Sequence, residues 1–337
     1  MTGRFLFVLP FVMLLGCVDT FEQHLAYDYL GDGVHEVAPV QTPALADTVS
    51  VKGELGSASF GGRLRVSDSR LFWQDGADIT LDYVVDDGVF VPTDDQGLVL
   101  LSFYHHLAGV RDDLSGRGWQ DDMDAIFPVT TIAWTPEQLV SAATPIENAA
   151  YLSGGINAFI LYEDANNNIP LGAHAGVVRH EFGHAWFQVL MLPVVERALN
   201  GDPVVEDLRA VNEGFADMVA ILSLDDPMAI PFVERNPRLA HTTDGFTGSD
   251  DPYSLGVVFA GFAWDARVLS NDAEQTLELT VGALEDFREF LFTEESDGTA
   301  QQFGLMLYDR YSSEINDFRL CQAWRIRFPD LVGRCGR

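Results

Sequence analysis

The chain has 337 residues, of which 47% are apolar and 11% aromatic, so it can bury a large core and form two packed lobes. Its formal net charge is −31, and the acidic residues are spread along the sequence in pairs such as Asp86-Asp87 and Asp250-Asp251. Such a surface repels nucleic acid and anionic lipid headgroups, which excludes binding modes that need a basic patch.

The first seventeen residues are typical of an export signal. The twelve-residue stretch FLFVLPFVMLLG follows Arg4 and is too short to span a bilayer. It leads to Leu14-Leu15-Gly16-Cys17, which resembles a bacterial lipobox, whose cysteine is lipidated and becomes the new N-terminus. The sequence therefore predicts a signal peptide over 1–17 and a protein tethered to the cell envelope through Cys17. Val18 after this cysteine favours the outer membrane by the same resemblance. An ordinary signal peptide with an incidental cysteine is the alternative.

The two remaining cysteines, Cys321 and Cys335, agree with export. Thirteen residues separate them near the C-terminal end of the sequence. A disulfide between them is permitted outside the cytoplasm. Closing a loop of that size would stabilise the fold by roughly 3 kcal/mol in the chain-entropy model. Two reduced cysteines are the alternative.

The N-terminal part of the mature chain divides into two predicted segments. Residues 18–47 lack strong periodicity and predict a tether, with His24 and His35 solvated in it. Residues 48–95 contain alternating stretches such as RLRVSD and ITLDYVV between Gly and Asp turns, and they predict a small β-rich module.

Helical and extended patterns follow. Residues 97–111 have apolar groups at helical spacing, which puts His105 and His106 on the surface and core edge of a helix. FPVTTIAW predicts a buried strand, and two extended runs around Ser153-Gly154-Gly155 predict a hairpin. The acidic and amide-rich loop from Glu163 to Asn168 leaves Ca²⁺ as a second candidate cofactor, with a solvated turn as the alternative.

The stretch VVRHEFGHAWF, residues 177–187, places His180 and His184 four residues apart with Glu181 between them. An α-helix brings positions i and i+4 to one face, so the two histidines would offer neighbouring nitrogen ligands to zinc. Glu181 would then reach a water at the metal. This short pattern also recurs by chance, so the interpretation depends on a third ligand. His174, just before the motif, is interpreted as a satisfied structural histidine.

A third ligand is available in AVNEGFADMVAIL, residues 210–222. Glu213 and Asp217 are four residues apart among apolar positions, so both carboxylates face the same way on a helix. Buried carboxylates are unfavourable unless they are paired or bound to a metal ion. Glu213 would complete a His₂Glu ligand set, and Asp217 would accept the second ring N–H of a ligand histidine.

These motifs together resemble the gluzincin metallopeptidases of the thermolysin-like type, which combine HExxH with a later helix bearing Glu-x-x-x-Asp. The resemblance covers roughly residues 97–270 and implies an α+β fold with the zinc site between two lobes. A mixed α/β catalytic lobe over 96–190 would carry the HExxH helix, and a mainly helical lobe over 191–337 would carry Glu213. The resemblance assigns Zn²⁺ to His180, His184 and Glu213.

Other positions match the family pattern less closely. Asn148 and Ala149, in the sequence NAAY, resemble the edge strand on which the family pairs the substrate backbone. The 28 residues between His184 and Glu213 exceed the expected spacing, which predicts a longer connection between the two helices. Tyr253 stands where the family has a histidine that stabilises the oxyanion, near a helix start with Asp251 as N-cap and Pro252 at its first position. His241 is the rival for this role.

The function implied is a lipid-anchored zinc peptidase, expected to be an endopeptidase, with Glu181 as general base and a peptide or protein as substrate. Two alternatives remain open at this point: an inactive zinc protein that binds peptides, and a structural surface lipoprotein with an accidental motif. The substrate preference and the oligomeric state do not follow from the sequence.

Overall fold

The computed structural model describes residues 23–67, 70–135, 149–152, 156–162, 168–199, 205–239, 241–243, 252–293 and 300–334. Cys17, Asn148, residues 163–167 and Cys335 lie outside these ranges, so the predictions that concern them stay predictions. Within the described ranges, the chain is a mixed structure of helices and strands, in agreement with the predicted α+β class. Among the described residues, the strands and two helices lie before residue 163, and the part from Ala175 onward is helical.

Eleven strands occur in the described part of the chain. They are β1 Gln23–Gly31, β2 Val34–Gln41, β3 Leu45–Asp47, β4 Lys52–Gly53, β5 Gly56–Ser67, β6 Arg70–Asp78, β7 Tyr83–Asp86, β8 Val89–Pro92, β9 Thr131–Thr135, β10 Ala149–Leu152 and β11 Ala158–Tyr162. One sheet has the order β2-β1-β8-β7. The other has the order β10-β11-β9-β5-β4-β3, and β6 also pairs with β5.

The strands of the N-terminal region are more extensively integrated than the sequence predicts. Where a tether was expected over 18–47, the chain from Gln23 onward forms β1, β2 and β3. Strand β5 pairs in parallel with β9, for example Ala58 with Ile132, so one sheet crosses the predicted boundary at residue 95. The segment lacks strong amphipathic periodicity because β1 and β2 are only partly buried.

The predicted hairpin is confirmed in its pairing. Strands β10 and β11 are antiparallel, with Ala149 opposite Leu161 and Leu152 opposite Ala158. The predicted strand in FPVTTIAW is also confirmed, because β9 is buried along its whole length. Strand β11 lies between β9 and β10, so β10 is the edge strand on that side of the larger sheet among the described residues.

Eight α-helices occur in the described part. They are α1 Asp95–Gly116, α2 Gln120–Ile126, α3 Ala175–Leu199, α4 Val205–Ser223, α5 Pro252–Ser270, α6 Ala273–Thr293, α7 Ala300–Glu314 and α8 Phe318–Arg327. The predicted helices around 97–111, the HExxH motif and the Glu-x-x-x-Asp pattern are confirmed as α1, α3 and α4. None of the helices within the described residues is both long enough and apolar enough to cross a membrane.

Close packing between α3, α4 and α5 brings the motif residues together. A Cβ atom on Gly183 of α3 would lie 2.6 Å from Ala216 Cα of α4. At the next interface, a Cβ atom on Gly214 of α4 would lie 3.0 Å from the Gly256 carbonyl oxygen of α5. These separations are shorter than ordinary van der Waals contacts, so glycine is needed for the backbones to approach.

Helix α8 carries Cys321, which is disulfide-bonded. Its predicted partner, Cys335, lies outside the described residues. The pairing of these two cysteines therefore stays a prediction.

Candidate metal centre

The candidate site lies where α3 faces α4. His180 is 5% exposed, Glu181 4% and Asp217 1%, although all three are polar or charged. Burial of such groups is unfavourable unless each is hydrogen-bonded, paired or bound to a cation. The partners of each group therefore decide what the site can do.

The two motif histidines each donate a hydrogen bond from Nδ1. His180 Nδ1 lies 2.9 Å from Asp217 Oδ1, and His184 Nδ1 lies 3.0 Å from Asn212 Oδ1. A neutral imidazole that donates from Nδ1 has its lone pair on Nε2. The two Nε2 atoms lie 3.0 Å apart, so the lone pairs converge on the same small region.

His180 is held in the neutral form that a metal ligand requires. Burial lowers its pKa to about 3, and the nearby Arg235 and His184 act in the same direction, while Asp217 partly opposes them. The pKa of Asp217 is lowered in spite of burial, because Arg235 and His180 stabilise its charge. Asp217 is therefore an acceptor, which fixes the ring proton of His180 on Nδ1.

Arg235 is a member of the site that the sequence analysis missed. It lies in a 3₁₀ turn, Val233–Arg235, and pairs with Asp217, with Nε 3.2 Å from Oδ2. The same guanidinium lies 3.5 Å from Glu213 Oε2. It also lies 3.4 Å from His180 Nδ1, but both atoms carry protons in this arrangement, so the contact with Asp217 governs its position.

Two glutamates adjoin the histidine pair in different ways. Glu213 Oε2 lies 3.5 Å from His180 Nε2 and 3.8 Å from His184 Nε2. Glu181 Oε2 instead accepts the backbone N–H of Tyr151 at 2.8 Å. Burial raises the pKa of Glu181 to about 7, and the charge of Glu213 adds to this effect, while His184 opposes it.

These side chains could hold a metal ion. His180, Glu181 and His184 each offer a ligand atom, and the three atoms lie within 4.8 Å of one another. Glu213 Oε2 is closer than 4.8 Å to both histidine Nε2 atoms. The carboxylates of Glu181 and Glu213 can therefore both reach a metal ion bound by the two histidines. Two neutral imidazoles and a carboxylate are ligands that suit divalent transition metals such as zinc.

Tyr253 lies at the border of this group, in the first turn of α5. Its side chain is 46% exposed, and the Arg235 guanidinium lies over its ring at 5.2 Å from the centroid. The charge of Glu213 and partial burial raise the pKa of Tyr253, so its phenol keeps its proton at neutral pH. His241, the rival, lies 3.2 Å from the Asn236 carbonyl oxygen through Nε2.

Ala149 begins the edge strand β10, two residues before the Tyr151 N–H that contacts Glu181. The strand therefore runs beside the candidate site. Asn148 precedes it and lies outside the described residues.

Three contributors to the site were not identified from the sequence. They are Asn212, which orients His184, Arg235, which pairs with Asp217, and the backbone of Tyr151. Asn212 directly precedes Glu213, and this neighbouring position is the one feature of the sequence that could have indicated its role. Arg235 lies in a short turn without periodicity.

Comparison of the sequence with known protein families and with curated proteins finds no match. The interpretation of the site therefore depends on its own geometry.

Proposed function

We propose that this protein is a zinc-dependent peptidase whose metal ligands are His180, His184 and Glu213. The observation that carries the proposal is the pair of Nε2 lone pairs at 3.0 Å, with both Nδ1 protons committed to Asp217 and Asn212. Two lone pairs repel at this distance, whereas a cation between them is attracted to both. A purely structural histidine pair would share a proton instead.

The ligand separations bracket those expected around a tetrahedral ion. Zinc–nitrogen and zinc–oxygen bonds of about 2.0–2.2 Å place neighbouring ligand atoms roughly 3.3–3.6 Å apart in a tetrahedron. The three separations among His180 Nε2, His184 Nε2 and Glu213 Oε2 are 3.0, 3.5 and 3.8 Å. A zinc ion held by these three atoms would keep one position open to water, as in catalytic sites.

The third ligand is assigned to Glu213 rather than to Glu181. One oxygen of Glu181 is held by the Tyr151 N–H, which turns this carboxylate toward the edge strand. Glu213 comes from the opposite helix and faces both Nε2 atoms. This division leaves Glu181 available to accept and return a proton.

A bound zinc ion supplies Lewis-acid polarisation of a peptide carbonyl and lowers the pKa of water. The chain's own residues supply the remaining functions. Glu181, whose pKa is raised to about 7, takes the proton of the attacking water and later gives it to the leaving amine. Asp217 and Arg235 hold the ring of His180 in its orientation.

Edge strand β10 is the proposed binding site for the substrate backbone. An extended peptide pairs with an exposed sheet edge through main-chain hydrogen bonds. The strand begins at Ala149 and contacts Glu181 through Tyr151, so a peptide paired there would lie beside the proposed base. Tyr253, with its protonated phenol next to Arg235, is the proposed donor to the oxyanion.

The test is hydrolysis of a peptide library by the purified protein, before and after treatment with a chelator. We expect cleavage that the chelator abolishes and added zinc restores. Glu181→Gln preserves the shape of the side chain but removes the base, so activity should fall about 10²- to 10⁴-fold. A wild-type protein that contains zinc but cleaves no peptide would contradict the enzyme proposal and favour an inactive peptide-binding protein. A wild-type protein without metal would contradict both.

A further inference from the structure

A second group of histidines lies away from the candidate metal centre, where the β1–β2 hairpin meets the rest of the protein. We call His35, His106 and His174 the histidine cluster; they come from β2, α1 and the residue before α3. The ring centroids of His35 and His174 lie 4.2 Å apart, and those of His35 and His106 lie 5.9 Å apart. His106 is 6% exposed and His174 4%.

This arrangement differs from the sequence-based interpretation. His35 was expected to be solvated in a tether, but it packs between two other imidazoles. His174 was expected to be satisfied, but its Nδ1 is buried without a hydrogen-bond partner among the described residues, as is His106 Nε2. Buried polar atoms of this kind require an explanation, since most such atoms in proteins are paired.

His35 also connects the hairpin to the helix that carries the candidate metal ligands. Its Nε2 accepts the backbone N–H of Ala175, the first residue of α3, at 3.0 Å. The first N–H groups of a helix have no partner within the helix, so His35 acts as a cap supplied by another element. A proton on Nε2 would replace this acceptor with a donor and place positive charge at the positive end of the helix dipole.

The charged groups around the histidine cluster mostly engage other partners. Asp28 of β1 lies 3.7 Å from His105, at the edge of the cluster, and favours positive charge on it. Asp113 of α1 pairs with Arg179 of α3 at 2.8 Å, and Asp226 after α4 accepts a hydrogen bond from the Tyr29 hydroxyl. Because Asp113 and Asp226 have other partners, they are not committed to neutralising the cluster. Its closely packed imidazoles would repel one another if they were protonated.

The expected charge states agree with this geometry. Burial lowers the pKa of His35 and lowers that of His174 to about 3. Burial also lowers the pKa of His106 well below its usual value, and the neighbouring His105, His35 and Arg179 add to the effect. Asp28 opposes the shift at His35 only in part.

We propose that the histidine cluster is a pH-sensitive latch that holds the β1–β2 hairpin on α1 and α3 while its rings are neutral and releases the hairpin in acid. Release would also remove the acceptor for the first N–H of α3. Release must also break other attachments of the hairpin. These are the Tyr27 N–H to Ser102 Oγ bond at 2.8 Å, the bonds from Gly33 N–H and the Tyr29 hydroxyl to Asp226, and the pairing of the first residues of β1 with β8.

The direction of the pH effect follows from linkage. The docked state has histidine pKa values below the ordinary value of about 6.5, so the released state binds more protons. Docking is therefore fully favoured above about pH 6.5 and weakens as the pH falls below it. A histidine that is neutral when the hairpin is docked and protonated when it is released lowers the docking equilibrium constant as the pH falls. Each such histidine contributes up to about tenfold per pH unit.

The test is hydrogen–deuterium exchange of the whole protein at pH 7.5, 6.5 and 5.5, with protection corrected for the intrinsic exchange rate at each pH. We expect protection of amides in 23–41 to fall at least about tenfold between pH 6.5 and 5.5. Amides of α6 should keep their protection and serve as the internal control. His35→Gln can still accept the Ala175 N–H but does not titrate, so the fall should be smaller by up to about tenfold per pH unit. His241→Gln, outside the cluster, should behave like the wild type.

Several results would overturn this proposal. Constant protection of 23–41 in the wild type would show that the cluster does not respond to acid, whatever the variants do. An equal loss in α6 would show global unfolding instead of release. A parallel pH response in the wild type and a folded His35→Gln would assign the effect to other groups. A second metal ion per chain that is lost in His35→Gln would make the cluster a metal site. None of these readouts requires the proposed peptidase activity.

Discussion

The chemistry of the site depends on where individual protons lie. Asp217 and Asn212 fix the Nδ1 protons of His180 and His184, and this leaves both Nε2 atoms ready to bind a cation. Glu181 differs from Glu213 mainly in its partner, the Tyr151 N–H. Two glutamates that look alike in the sequence are therefore given different proposed roles by a single hydrogen bond.

Arg235 provides a test at this scale. It is the buried cation beside Asp217, and the two side chains are 10% and 1% exposed. Arg235→Met should lower the free energy of unfolding of metal-free protein by about 3–5 kcal/mol, because the Asp217 charge stays buried without its cation. Urea unfolding in the presence of a chelator measures this change.

Arg319→Met is the matched control for this substitution. Arg319 pairs with Asp317 at the surface, where its side chain is 61% exposed, and solvent screening makes such pairs weak. We expect no measurable change in its unfolding free energy. If the two variants unfold alike, Asp217 does not depend on Arg235 for its charge.

At the scale of elements, the site depends on how closely α3 and α4 approach. Gly183 lies between the two motif histidines in sequence and faces Ala216 of α4, the residue before Asp217. The helix that carries two of the proposed ligands and the helix that carries the third therefore meet at a glycine. A small displacement there changes the distance between Glu213 and the histidine pair.

Gly183→Ala tests this dependence. The new methyl group would lie 2.6 Å from Ala216 Cα, so the helices must move apart. We expect the free energy of unfolding to fall by about 1–3 kcal/mol, as for other overpacked cores, and zinc affinity to fall with it. Thermal unfolding and zinc titration measure the two effects. Gly116→Ala, where a Cβ meets nothing within 4 Å, is the control and should leave both unchanged. Normal zinc affinity in a folded Gly183→Ala would contradict the proposed role of this contact.

The helices and their polar faces could be predicted because their signals are local. Spacing of four residues placed His180 with His184 and Glu213 with Asp217 on two helical faces, and α3 and α4 have those faces buried against each other. The partners of these faces could not be predicted in the same way. Arg235 reaches Asp217 from a short 3₁₀ turn, and the sequence around it contains no period that indicates the contact.

At the scale of the whole molecule, the N-terminal region is the part that sequence patterns described least well. Its strands are partly exposed on both sides and interact through sheet order and through the histidine cluster. These interactions join residues more than sixty positions apart, such as His35 and His106. Partial burial of His35 follows from this tertiary arrangement, because its immediate sequence, VHEVAPV, has no clear alternation that marks a buried face.

The central claim is that one zinc ion is held by His180, His184 and Glu213, and metal content after dialysis tests it most directly. Glu181→Gln changes a glutamate that lies outside the proposed ligand set, so it serves as the control. We predict that the wild type and Glu181→Gln retain stoichiometric zinc, whereas folded Glu213→Ala loses most of it because a direct ligand is gone. Stoichiometric zinc in Glu213→Ala, or its loss in Glu181→Gln, would contradict the proposed ligand set.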